Sequence, residues 1–185
     1  MNLVEVVNAT RTQIDEELVA RLVATVLEAE GVAGAEVAVE FVGEARIRAL
    51  NREHRGRDEV TDVLSFPLED WDAGGGAPDQ PGSAGEGRLR PAASPAPDLG
   101  EVAAAAVVAG PPLMLGDIVV CVRRALRQAR ADSLPPALEI AVLLAHGTLH
   151  LLGYDHETDA GQMALRQAEV LELVDWEGLV VAASR

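Results

Sequence analysis

HGTLHLLGYDH, residues 146–156, holds three of the four histidines in the chain. The nine residues before it, ALEIAVLLA at 137–145, are apolar nearly all round, which predicts a helix in the middle of a domain. Ser133, Leu134, Pro135 and Pro136 supply its start, because proline is tolerated in a first turn whose amides lack intrahelical partners. At about 100° per residue His146 and His150 fall roughly 40° apart on one face, one turn from each other. Ile140, Leu144 and Leu151 fall on the opposite side, while Leu138, Val142, Leu143 and Leu149 flank the histidines. Gly153 stands where a left-handed residue can end the helix and reverse the chain, which allows Tyr154 and Asp155 to bring His156 back to the same point.

Three neutral imidazoles suit one zinc ion per chain, and three protein ligands leave a fourth position for water, the arrangement of a catalytic site. Such a water ionises near neutral pH and can attack phosphorus or a carbonyl carbon. The competing reading is three partly buried core histidines satisfied by hydrogen bonds. A pair at i, i+4 does not separate the two readings, and the third histidine beyond a glycine turn favours the metal. The spacing HxxxHxxGxxH matches the metzincin proteases except at Gly147, where those enzymes carry the glutamate general base, so a peptidase mechanism of that type loses its proton acceptor. Glycine in a helix interior costs about 1 kcal/mol against alanine. Gly147 is therefore either tolerated or kept for a close approach of backbone or substrate.

Outward from this segment, the 185 residues suit one domain, and 49% hydrophobic with 24% charged residues fits a globular protein. Residues 2–8 and 35–42 alternate as strands, 116–122 reads as another, and VTDVLSFP gives one more that stops at Pro67. Helices are expected over 12–30, where Ile14, Leu18, Leu22, Val26 and Ala29 recur before Gly31, over 44–54, and over 123–131. A last helix over 158–176 carries Met163, Leu165, Val170, Leu171 and Val174 as an apolar stripe and is expected to cover the histidine helix. Of residues 73–100, eighteen are Gly, Ala or Pro, a composition unable to bury enough apolar surface to offset its ordering entropy. Residues 70–101 therefore read as a mobile insertion within one domain spanning 1–185.

The formal charge of -15 argues against indiscriminate binding of polyanions, and DNA is not expected as a partner. Every basic residue is arginine, however, and nine of the fifteen fall in two clusters, Arg46, Arg48, Arg52, Arg55, Arg57 and Arg123, Arg124, Arg127, Arg130. Arginine grips phosphate in a planar fork, so local basic patches can survive an acidic average; solvated helix faces without a ligand are the alternative. The single Cys121 gives no disulfide, the first residues do not resemble a secretory signal, and no apolar stretch approaches the roughly 20 residues of a membrane span. A cytoplasmic location is expected, with no membrane partner.

Three separated stretches, HGTLHLLGYDH, LNREHRGRDEVTDVLSFP at 50–67 and LGDIVV at 115–120, resemble in order the signature motifs of the YbeY family of bacterial rRNA maturation factors. The resemblance spans about 45 to 157, apart from the insertion, which is longer than the family's usual connector. It implies an α/β fold with a small mixed four-stranded sheet packed with helices and a zincin-like metal helix. It also implies a zinc-dependent, single-strand-specific endoribonuclease that matures the 3′ end of 16S rRNA and serves ribosome quality control. Implied partners are rRNA and the 30S subunit, with a ribosomal protein and a ribosome-associated GTPase as further candidates. Carried over by residue, His146, His150 and His156 would bind zinc, with His146 counted as catalytic. Arg55 would stand beside the metal, where a guanidinium holds phosphate and stabilises charge gathering in the transition state. Arg57 could assist it. Thr61, Asp62 and Ser65 match the strand lining the family's groove, without an assigned chemistry. Asp117 reads as a turn or cap residue or as a second layer to the site. His54, where the family often has an aromatic, either reaches the metal pocket or sits on a surface helix, and the surface is favoured.

The general base stays open. Asp155 and Glu157 adjoin the third ligand in sequence, and Glu139 shares the histidine face but lies about 10.5 Å away by helical rise, where it suits the helix N-terminus. A second functional class also stands: a non-catalytic ribosome-assembly factor with a mainly structural metal, which the acidic charge favours. A hydrolase of small phosphoesters or peptides on the same metal chemistry is a third.

Overall fold

The computed structural model describes residues 1–68, 113–156 and 159–182. The expected insertion at 70–101 lies outside the described residues, and so does Glu157. The strands are β1 (Leu3–Asn8), β2 (Gln13–Ile14), β3 (Ala35–Val42), β4 (Val63–Pro67), β5 (Leu113–Cys121) and β6 (Val180–Ala182). The helices among the described residues are α1 (Glu16–Ala29), α2 (Glu44–Arg55), α3 (Val122–Ala131), α4 (Pro136–Leu151) and α5 (Gln162–Leu171).

β1, β3 and β5 run parallel and β4 returns antiparallel along the outer edge of β5, in the order β1-β3-β5-β4. The expected mixed four-stranded sheet is therefore present. Parallel neighbours need crossovers, and α1 supplies the one between β1 and β3. Asp15 starts that helix, its carboxylate accepting the Leu18 amide at 2.9 Å, as an N-cap does. Ile14, expected as the first apolar residue of this helix, instead lies in β2, which pairs with β6 in a separate two-stranded sheet.

Alternation along the strands divides the side chains between two cores. Val37, Val39, Phe41, Ile118 and Val120 join α1 and α4 in the larger one. Leu64, Val119 and Cys121 face α2, where Ile47 and Leu50 close a smaller one. α4 is packed by α1, α3, α5, β4 and β5, so its all-round apolar surface meets a neighbour on nearly every side. Ile140, Leu144, Leu149 and Leu151 are fully buried there; each such side chain is worth roughly 1.5–3 kcal/mol in transfer free energy. No helix among the described residues is long and apolar enough to cross a membrane.

The close seating of α4 on the sheet rests on Gly147. A Cβ there would come within 2.8 Å of Ile118 Cγ2 and 3.2 Å of Ser65 Oγ. Ser65 also donates to the Gly147 carbonyl at 3.3 Å. Of the two readings of this glycine, close approach is the one the packing supports, and the approaching group is the sheet. A glutamate at this position has no room.

Candidate metal centre

His146 and His150 stand one turn apart on α4, with their Nε2 atoms separated by 3.1 Å. The helix ends because Gly153 adopts φ 86°, a left-handed conformation that a Cβ disfavours. The Gly153 amide bonds back to the His150 carbonyl at 3.0 Å and the Tyr154 amide to the Leu149 carbonyl at 3.1 Å, the paired closure of a Schellman motif. This turn returns His156, whose ring centroid lies 5.2 Å from that of His146 and 5.1 Å from that of His150. One ring nitrogen from each of the three lies within 4.8 Å of the others.

The donor set fits a divalent ion. Zinc bound to imidazole nitrogen at about 2.0–2.1 Å in tetrahedral geometry separates its ligand atoms by roughly 3.3 Å. The two helix histidines are already near that spacing, and His156, exposed on its turn, is the ligand placed to close on them. Burial is the main cause holding both helix histidines below the ordinary imidazole range, and the neighbouring imidazoles add to it; His150 is lowered to about 4. At neutral pH both are therefore uncharged and present lone pairs, the state metal binding requires.

Around the triad, Asp62 lies near enough for its charge to favour the protonated form of His146. Its carboxylate accepts the Val63 amide at 2.9 Å and the Thr61 hydroxyl at 3.1 Å, which fixes the entry to β4 beside α4. Ser65 follows on the same strand. Of the three residues expected to line a groove, Asp62 and Ser65 thus flank the histidine helix. Arg55 is the last residue of α2, an exposed side chain, and Arg57 follows it, also exposed. His54 is exposed on α2 and meets Phe66 edge-on at 4.9 Å, on the sheet face opposite the one that carries Ser65 and Ile118, in agreement with the surface reading. Asp117 is neither a turn residue nor part of the metal surroundings. It lies within β5 on that same opposite face, lining an open cavity of about 530 Å³ with Glu5, Glu40 and His54. Glu139 is buried in the first turn of α4, and desolvation raises its carboxyl pKa.

Sequence reasoning passed over Gln167. Its Oε1 lies 3.0 Å from His146 Nδ1. A signal was available, since Met163, Gln167 and Val170 recur at i, i+4 and i+7, placing one amide in the buried stripe of α5. Leu165, by contrast, was expected in that stripe and is 71% exposed.

The family model described as "Endoribonuclease YbeY" matches residues 5–175. A protein named Endoribonuclease YbeY from Anaeromyxobacter sp. (strain Fw109-5) is 42% identical over 164 residues, 88% of this chain and 65% of that protein, so the match spans just under two thirds of its length. One of the same name from Moorella thermoacetica is 40% identical over 85% of this chain and 87% of its own. The solution structure of TM1509 from Thermotoga maritima superposes with a TM-score of 0.52 at 23% identity, covering 92% of this chain and 87% of that one, which shows a shared fold. A family match over most of the chain and relatives at about 40% identity agree with the three-histidine turn, and the chain belongs to the YbeY endoribonuclease family.

Proposed function

We propose that this protein is a zinc-dependent, single-strand-specific endoribonuclease that acts in rRNA processing, at the 3′ end of 16S rRNA, and in ribosome quality control. The observation that carries the reading is the convergence of three imidazole nitrogens within 4.8 Å, at a helix end where the protease glutamate is replaced by glycine. His146, His150 and His156 would hold the ion. Bound zinc supplies Lewis acidity toward a phosphate oxygen and toward water. Arg55, on an exposed helix end, offers a planar fork to the scissile phosphate and stabilises charge gathering there. The neutral state of His146 and His150 keeps their ring nitrogens available as ligands. Asp62 and Ser65 shape the strand beside the helix, where a single strand would lie. The site would act in the cytoplasm, on the 30S subunit, with a ribosomal protein and a ribosome-associated GTPase as partners.

Cleavage of single-stranded RNA by the zinc-loaded protein tests this. His146→Ala should abolish cleavage, and Arg55→Ala should lower it about 100- to 1000-fold, the usual range for removing one transition-state donor, while the Arg55 variant melts like the wild type. Equal cleavage by all three proteins would defeat the proposal. A second reading, an assembly factor whose metal is mainly structural, draws on the net charge of -15 and on the carboxylates of Glu5, Glu40 and Asp117 on the open sheet face. It predicts no cleavage by any of the three.

A further inference from the structure

Each helix histidine is tied to a different part of the fold, and both routes lead to α5. His146 Nδ1 faces Gln167 Oε1 at 3.0 Å. An amide oxygen only accepts, so the proton belongs on Nδ1 and the lone pair falls on Nε2, the atom 3.1 Å from His150 Nε2. His150 bonds to the backbone of Tyr154. The Tyr154 hydroxyl donates to Glu30 at 2.8 Å, and the other oxygen of Glu30 takes the Arg166 guanidinium. Arg166 reaches the Ala29 carbonyl as well, at 2.8 Å, so this route is pinned to the end of α1. Arg166 and Gln167 are neighbours on α5, whose Met163 and Val170 are buried against the body of the protein.

We propose that Gln167 is a positioning residue for the metal centre: by accepting the Nδ1–H bond it fixes the tautomer and ring orientation of His146 that aim Nε2 at the ion. The proposal rests on the metal reading of the three histidines. Outer partners of metal-bound histidine commonly contribute 10- to 100-fold in affinity, because without them the imidazole must choose its tautomer and orientation as the metal binds.

The test uses the full-length protein, Gln167→Met, which keeps the length and removes the acceptor, and Gln167→Glu, which restores an acceptor. Two quantities are measured: the imidazole ¹⁵N–¹H correlations of the metal-free protein, which report the His146 tautomer, and zinc affinity by competition with a chelating dye. The wild type and Gln167→Glu should show His146 protonated at Nδ1. In Gln167→Met that signature should be lost, with affinity about 10- to 100-fold weaker, while the glutamate variant stays within about threefold of the wild type. Should the methionine variant not fold, Gln167→Asn, which withdraws the amide by one methylene, carries the same expectation. If the wild type binds zinc and the methionine variant equals it in tautomer and affinity, the role of Gln167 is overturned while the metal site stands. If the wild type takes up no zinc at all, the metal reading fails and the proposal with it, whatever the tautomer does.

Discussion

A single missing methyl group sets how closely the histidine helix lies against the sheet. Alanine at position 147 gains about 1 kcal/mol of helix propensity, but its Cβ meets Ile118 Cγ2 at 2.8 Å. That methyl sits on a stiff β-branched side chain that cannot swing away. Overpacking of this kind typically costs 1–3 kcal/mol. Gly147→Ala should therefore lower the urea midpoint despite its better propensity, and a raised midpoint would mean that α4 has room the packing denies. At this scale the three-histidine cluster was legible in the sequence, because the spacing alone sets His146 above His150 and the turn at Gly153 has a local cause. Gln167 and the tie from Tyr154 to Glu30 were not read. Glu30 and Tyr154 are far apart in sequence and meet only after α1, α4 and α5 have packed together.

Among the elements, periodicity recovered the strands of the main sheet and the cores of the helices, since each is long enough to repeat its pattern. β2 and β6 escaped it. Two or three residues carry no period, and their pairing is set by where the chain past α5 returns, with the Asp15 amide bonded to the Leu179 carbonyl at 3.1 Å. The apolar stripe expected for α5 was read too wide: Met163 is 1% exposed, whereas Leu165 stands in solvent. This difference is measurable. Met163→Ala should cost about 2–5 kcal/mol of unfolding free energy, the range for a truncated core side chain, while Leu165→Glu should stay within about 0.5 kcal/mol of the wild type. Comparable losses in denaturant titrations of the two variants would show that α5 packs differently from this account. The strand β4 illustrates the opposite case. Its sequence does not say which face turns to α4, and only the antiparallel register against β5 puts Ser65 beside Gly147 and Phe66 on the far side.

For the whole molecule, the proposed action on RNA requires an acidic chain to hold its phosphate contacts locally. Part of the arginine content already has carboxylate partners, with Arg48 bonded to Asp58 at 2.8 Å and Arg127 bonded to Glu44. Exposed pairs of this kind are screened by solvent and contribute little, so they offer little resistance to exchange for a phosphate. The fold itself converges on one place: the crossover helix α1, the edge strand β4 and the covering helix α5 all pack against α4, and the histidines stand at its C-terminal end. The claim that this place holds a metal is tested most directly by elemental analysis of untagged protein, purified without chelators, for the wild type and for His150→Ala. The account predicts about one zinc per chain in the wild type and its loss in the variant. A wild type carrying no stoichiometric metal, or a variant that keeps all of it, would contradict it.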